Sequence, residues 1–248
     1  MTDIGTLGAH LPTSSPLAQR AVQLLPLLDQ CAAYADQEGR LAPEVVDALR
    51  RDRMFLMWTP KELGGLELDP VQSLDVLAIA SYGDASAGWV LMAANLAIGT
   101  AGAYLGDSAA SELFAGGVHP VIAGQGTRPG TATRVEGGYK LTGSWSFGSG
   151  LLHSTHTHSL AIIAETGEAR IFVTPIEQAN LQLDSWNVMG LRGTGSVDYT
   201  MDGVLVPEAY THGAFVTEPR RGGAIFRSGI MGFAEICHAG WAVGVGRR

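Results

Sequence analysis

Apolar residues recur in steps of three and four from Leu17 through Ala21, Leu24/Leu25, Leu28 and Cys31/Ala32 to Ala35. That spacing predicts a single helical face over residues 16–38, with Pro26 either kinking the helix or marking its first turn. Pro43-Glu44 opens a second helix, 43–51, because proline at a first helical position loses only an N–H that has no partner there. The apolar run 54–58 and a loop, 59–65, follow. Asp69 caps a third helix from Pro70 to about Tyr82, and Asp84 or Ser86 caps a fourth that ends near Tyr104. Asp107 caps a short fifth helix to Phe114, stopped by Gly116-Gly117.

At Val118 the pattern shortens to runs rich in β-formers: 121–124, 131–136, 139–142, 158–164, 169–175, 181–189 and 196–206. Glycine, asparagine or proline separates most of them. Gly137-Gly138 suits the positive-φ positions of a hairpin turn between the second and third runs. After Pro207 and a polar loop through Gly223, helical spacing resumes at Ile225/Phe226, Ile230, Phe233, Ile236/Cys237 and Gly240/Trp241. This last helix is apolar on much of its surface with nothing after it to pack against, so it is expected to belong to a fragment or to be covered by another subunit. The expected fold class is α+β multidomain. A flexible lead-in (1–15) precedes an N-terminal all-α domain (16–117). A middle antiparallel β-domain follows (118–216, sandwich or barrel), and then the start of a C-terminal helical bundle (217–248).

Composition narrows the partners. The net charge is −8 and no Lys/Arg run exceeds a pair, which disfavours nucleic acid as the main partner. Cys31 and Cys237 form no disulfide framework and read as reduced thiols of a cytoplasmic protein. Residues 1–15 lack a charged n-region and an apolar core, so no signal peptide is expected. Between Asp84 and Asp107 no residue is charged, a stretch long enough to span a bilayer. It is built mainly from Ala, Gly, Ser, Thr and Asn, however, and reads as a helix buried on all sides, with no membrane partner. His153, His156 and His158 have a spacing that can ligate a metal, but no Cys or carboxylate completes a shell before Glu165, and no metal is expected. His153 is instead a candidate to border a cofactor. No Gly-x-Gly-x-x-Gly opens a helix after a strand, and no Gly-x-Ser-x-Gly elbow is present.

The most informative stretch is Gly137–Gly150. Its tail, Phe147-Gly148-Ser149-Gly150, places a flat ring, bare backbone and one hydroxyl side by side, which would suit a planar polar ring system such as a flavin. A plain hairpin with Trp145 and Phe147 in a β-core fits the same residues.

The order helices, β-domain, helix resembles the acyl-CoA dehydrogenase-like flavoproteins across residues 17–248. Local strings carry the likeness: 43–50 (PEVVDALR), 60–65 (PKELGG), 84–89 (DASAGW), 137–150, 189–196 (MGLRGTGS) and 202–207 (DGVLVP). The strings 145–150 and 191–196 are more similar to the flavin-dependent monooxygenase branch, which takes reduced flavin from a separate reductase and hydroxylates small substrates. The resemblance implies FAD or FMN as cofactor, a small-molecule substrate and a homo-oligomer, tetramer or dimer. It implies that Gly124, Gln125, Gly126 and Thr127 lie along the flavin pyrimidine edge, and that Phe147 and Gly148 lie against the ring. Ser149 would place its hydroxyl near flavin N5, the catalytic contact. Arg192 and Thr194 would meet a phosphate or the ribityl chain, or form a tight turn. Trp89, Met92 and Asn95 on the fourth helix would face the substrate, or simply be buried in the helical layer. Relatives carry a base on a further helical domain and often a histidine on the fourth helix. Here Asn95 and no histidine is present, so the base is unassigned. Two alternatives remain: an FAD-dependent acyl-CoA dehydrogenase, and a truncated non-catalytic binding or assembly paralogue.

Overall fold

The computed structural model describes residues 13–117 and 119–248. Most of the expected lead-in, and Val118 at the expected start of the β-domain, lie outside the described residues.

Among the described residues five helices come first. Helix α1, Pro16–Glu38, starts where Ser15 Oγ accepts from the Ala18 N–H at 3.1 Å and ends at Gly39 with φ 66°. It runs unbroken through Pro26. Helix α2 is Pro43–Arg51. Helix α3, Pro70–Gly83, is capped by Asp69, whose carboxylate accepts from the Gln72 N–H at 2.9 Å. Helix α4, Ala85–Tyr104, is capped by Asp84 rather than Ser86: its two carboxylate oxygens accept from the Ser86 and Ala87 N–H groups, each at 3.1 Å. Two of the orphan donors at the helix start are thereby satisfied. Helix α5 is Asp107–Leu113, but Asp107 is its first residue and not its cap. The Asp107 carboxylate instead pairs with Arg221 at 2.7 Å.

Helix α4 is long and apolar enough to cross a membrane, yet 78% of its apolar window is buried inside the protein. It is the centre of the helical layer. The last helix, α6 (Gly229–Arg247), packs against α3 and α4 of the same chain. Its Gly240 and Gly244 permit this approach, since a Cβ on Gly244 would collide with the Ala78 carbonyl. Phe233 and Cys237 are buried in the contact. The elements this helix packs on all precede it in the chain, and Met231 remains 59% exposed.

The β-region is one seven-stranded sheet in the order β5-β6-β2-β1-β3-β4-β7. Its strands are β1 Ile122–Val135, β2 Gly138–Gly148, β3 His156–Ile163, β4 Ala169–Pro175, β5 Asn180–Gln182, β6 Val197–Pro207 and β7 Thr211–Gly213. The sheet is mixed rather than wholly antiparallel, because β1 and β3 are parallel. The chain leaves β2, crosses the end of β1 through residues 149–155 and re-enters on the far side, so β3 must run alongside β1. The expected strand 181–189 shrinks to three residues; beyond it Asp184, Ser185, Asn187 and Gly190 favour turns, and Met189 is fully exposed. Two expected runs merge into β1, whose pairing with β3 shifts register between Gln125 and Gly130. That bulge lifts residues 126–129 off the ladder.

Trp145 lies in the sheet core, stacked on Tyr199 with centroids 5.2 Å apart, and its indole N–H donates to the Leu160 carbonyl at 2.9 Å. Phe147, two residues on, is 62% exposed. The two rings that a plain hairpin would bury together are thus separated.

Candidate active site between helix α4 and the sheet

A cavity of about 370 Å³ opens between α4, the β1 bulge, the β2–β3 crossover and α6. That volume is within the usual range for small-molecule sites, roughly 300–1,000 Å³. Trp89 and Met92 of α4 form one wall; residues 124–127, Phe147 and Ser149 form the opposite one; α6 closes the side with Met231, Cys237 and His238.

Ser149 is the polar centre of this cavity. Its backbone follows β2 where the crossover begins, so the hydroxyl sits at the end of the sheet facing α4. The Trp89 indole N–H donates to Ser149 Oγ at 2.9 Å. Ser149 Oγ lies 2.7 Å from Ser196 Oγ, Ser196 Oγ lies 2.6 Å from Thr194 Oγ1, and Thr194 Oγ1 lies 2.8 Å from the Leu191 carbonyl. The indole of Trp89 is further held edge-on by Trp241, centroids 5.0 Å apart, and by His238 at 5.6 Å.

Phe147 has φ 65°, a left-handed conformation that an aromatic residue rarely adopts. Asp198 accepts from its backbone N–H at 3.2 Å, and its ring stands edge-on to Trp186, centroids 6.0 Å apart. An exposed aromatic side chain held at unfavourable φ beside a cavity is strain of the kind found at ligand sites.

The bulge residues divide. The Gln125 side chain folds back on its own loop, accepting from the N–H groups of Thr127 and Arg128 at 3.0 and 2.8 Å and donating to the Thr127 hydroxyl. Gly124 is required by the sheet, because a Cβ there would meet the His158 backbone, whereas nothing lies within 4 Å of a Cβ on Gly126. Bare backbone therefore faces the cavity at Gly126. Gly148 packs against Leu151 and Tyr199 and does not line the cavity.

Three further expected residues lie elsewhere. Asn95 is fully buried and does not face the cavity: its amide donates to the carbonyls of Met54 and Leu91, each at 2.9 Å, and its oxygen accepts from the Met57 N–H at 3.0 Å. It pins the 54–58 segment to α4. Arg192 points away to α1, donating to the Asp36 carbonyl at 2.6 Å, and borders a separate groove with Arg40. Thr194 is buried behind Ser149 and closes a 3-10 turn, so it reaches the cavity only through Ser196.

The histidines at 153, 156 and 158 diverge. His153 Nε2 accepts from the Leu41 N–H at 3.2 Å; burial, with Arg40 and Arg50 nearby, lowers its pKa to about 4. His156 shares a hydrogen bond with Thr155 at 2.9 Å. His158 lines the cavity, 3.2 Å from Thr100 Oγ1. Burial and the neighbouring His212 lower its pKa to about 3, so it is neutral at pH 7. Among the described residues no group of three His, Cys, Asp or Glu side chains could hold a metal. His158, Cys237 and His238 were not anticipated as neighbours of Ser149. His158 comes from β3 and the other two from α6, and no local pattern links the strand to the helix.

No protein-family profile matches the chain. A pigment production hydroxylase from Rhodococcus sp. (strain ATCC 21145) is 31% identical over 208 residues, 82% of this chain and 52% of its own length. An indole-3-acetate monooxygenase from Pseudomonas putida is 30% identical over 187 residues, 71% of this chain and 45% of its own. The chain spans about half the length of the curated relatives it matches. Among solved structures, XiaF from Streptomyces sp. in complex with FADH2 and glycerol superposes with a TM-score of 0.80 at 26% identity, over 96% of this chain and 61% of that one. Helical layer, mixed sheet and returning helix thus recur in a flavin-bound protein, and the sequence relatives carry the names of oxygenases. The chain belongs to the acyl-CoA dehydrogenase-like flavoprotein superfamily, beside its flavin-dependent monooxygenases.

Proposed function

We propose that this chain is the flavin-holding portion of an oxygenase that hydroxylates a small organic substrate with reduced flavin, FADH2 or FMNH2, and O2. The observation that carries the reading is the Ser149 hydroxyl, fixed by Trp89 and Ser196 on the wall of a largely apolar cavity. The residues fit a flat tricycle with one polar edge. Trp89 and Met92 offer an apolar wall, Phe147 an exposed ring, Gly126 bare backbone and Ser149 a hydroxyl.

In this reading Ser149 meets flavin N5, Gly124–Thr127 follow the pyrimidine edge through backbone groups, and Phe147 covers one ring face. Bound reduced flavin supplies the two electrons with which one oxygen atom enters the substrate C–H bond while the other leaves as water. The chain's own part is to position and to keep dry: the apolar walls exclude water from the reacting centre, and Ser149 offers a fixed hydrogen-bonding position beside the ring. His158, neutral and bonded to Thr100, leaves the cavity without a cation at that wall. Reduced flavin would come from a separate reductase, since no dinucleotide-binding fingerprint is present in the sequence. The whole protein would act as an oligomer in the cytoplasm; both thiols are free and buried, as a reducing compartment allows.

Anaerobic mixing separates this reading from acyl-CoA oxidation. Added reduced flavin should bind and be reoxidised on admission of O2, with hydroxylated product when an accepted aromatic substrate is present. Bleaching of bound oxidised flavin by an acyl-CoA alone would instead establish a dehydrogenase. A folded chain that binds neither flavin form would be a binding or assembly module.

A further inference from the structure

We propose that Thr194 and Ser196 are positioning residues that fix the direction of the Ser149 hydroxyl, so that the cavity presents a hydrogen-bond acceptor and selects reduced over oxidised flavin. The inference rests on the cavity being the flavin site.

The argument is an accounting of protons. A hydroxyl carries one hydrogen and two lone pairs, whereas a carbonyl carries lone pairs only. The Leu191 carbonyl cannot donate, so the 2.8 Å contact from Thr194 Oγ1 holds the Thr194 proton. At 2.6 Å from Thr194, Ser196 must then be the donor. At 2.7 Å from Ser196, Ser149 must donate in turn. The Trp89 N–H, which can only donate, fills one lone pair of Ser149 Oγ from the other side. One lone pair of Ser149 is left, and the cavity is the open direction. Thr194 and Ser196 are themselves nearly inaccessible and outside the cavity lining.

Reduced flavin carries a hydrogen on N5 and can donate to that lone pair. Oxidised flavin has only a lone pair at N5 and would face Ser149 Oγ without a proton between them. The chain of hydroxyls therefore discriminates between redox states through a carbonyl that touches neither the cavity nor the ligand. Removing the Thr194 hydroxyl would release Ser196 to donate to Ser149, which frees the Ser149 proton to turn into the cavity and serve oxidised flavin.

The test is the ratio of dissociation constants for oxidised and reduced FAD, measured anaerobically with the folded chain. The unmodified protein should bind reduced FAD more tightly. Thr194→Val and Ser196→Ala should each cut that preference by about tenfold, the worth of about one hydrogen bond. For a two-electron couple this lowers the midpoint potential of the bound flavin by about 30 mV. Thr194→Ser should restore it, and Thr194→Val should add nothing in a Ser149→Ala background. If both flavin forms bind and neither Thr194→Val nor Ser196→Ala changes the ratio, the inference is wrong and the flavin site stands. It is equally wrong if Thr194→Val acts without Ser149. If the folded chain binds neither form, the flavin reading itself has failed.

Discussion

The Trp89 indole N–H and the Ser149 hydroxyl meet at 2.9 Å, joining the middle of the helical layer to the crossover of the sheet, 60 residues apart in sequence. This bond fills one lone pair of the Ser149 hydroxyl on the cavity wall. Trp89→Phe keeps an aromatic wall but removes the donor. It should weaken flavin binding about 3- to 10-fold, as loss of about 1 kcal/mol implies, with the fold intact by circular dichroism. Unchanged affinity in a flavin titration would mean that Trp89 does not orient Ser149.

Asn95 separates a structural role from a ligand role. Its three hydrogen bonds are all to backbone groups of Met54, Met57 and Leu91. Asn95→Leu leaves the buried Met57 N–H and Met54 carbonyl unpaired, and should cost about 2–4 kcal/mol in urea unfolding. Flavin affinity of the fraction that remains folded should match the unmodified protein. A selective loss of affinity at full stability would return Asn95 to the ligand wall.

Two neighbouring glycines should behave oppositely. Gly124→Ala drives a methyl into the His158 backbone, which should destabilise the protein by about 1–3 kcal/mol through overpacking. Gly126→Ala meets nothing within 4 Å and should alter stability by less than about 0.5 kcal/mol. Thermal unfolding of the pair distinguishes them, and a reduced flavin affinity for Gly126→Ala would place that backbone against the ligand.

The buried His158 and His212 and the half-buried His153 should make the protein acid-sensitive. Burial chiefly lowers His153 to about 4, with Arg40 and Arg50 adding to it; it lowers His158 to about 3, helped by His212, and His212 to about 4. Each folded value lies below the ordinary 6.5, so on acidification the unfolded chain takes up protons first. Their contribution to stability is complete above pH 6.5 and declines as the pH falls towards about 4. Each histidine contributes a slope of about 1.4 kcal/mol per pH unit within that window. Urea midpoints should fall clearly between pH 7 and pH 5, and less steeply in His153→Gln. Equal midpoints at the two pH values would show that these rings take up protons as readily in the folded protein as in the unfolded chain.

Much of the helical layer could be read directly. Steps of three and four gave α1, Asp69 and Asp84 sit where side-chain caps belong, and the lack of charge from 85 to 104 marked a buried helix. Local signals of this kind act within one or two turns. The parallel pairing of β1 with β3 depends on where the chain crosses over, which no strand encodes by itself, and so an antiparallel sheet was the natural expectation. The site divides along the same line. Ser149, Phe147 and Trp89 fall in strings with a recognisable chemistry, and the fold brings them to one cavity. Asn95 could not be placed from its helix position, because the partners that bury it lie in an irregular segment about 40 residues earlier. His158, Cys237 and His238 reach the cavity only through the docking of α6 and the register of β3. Ser196 stood within a string whose likeness was clear, but its bond to Ser149 spans 47 residues.

The most direct test is a crystal structure of the protein with reduced flavin bound anaerobically. The account predicts the ring between Trp89 and the β1 bulge, with N5 within hydrogen-bonding distance of Ser149 Oγ and Phe147 against one face. Flavin bound elsewhere, or in that cavity with N5 turned away from Ser149, would contradict it.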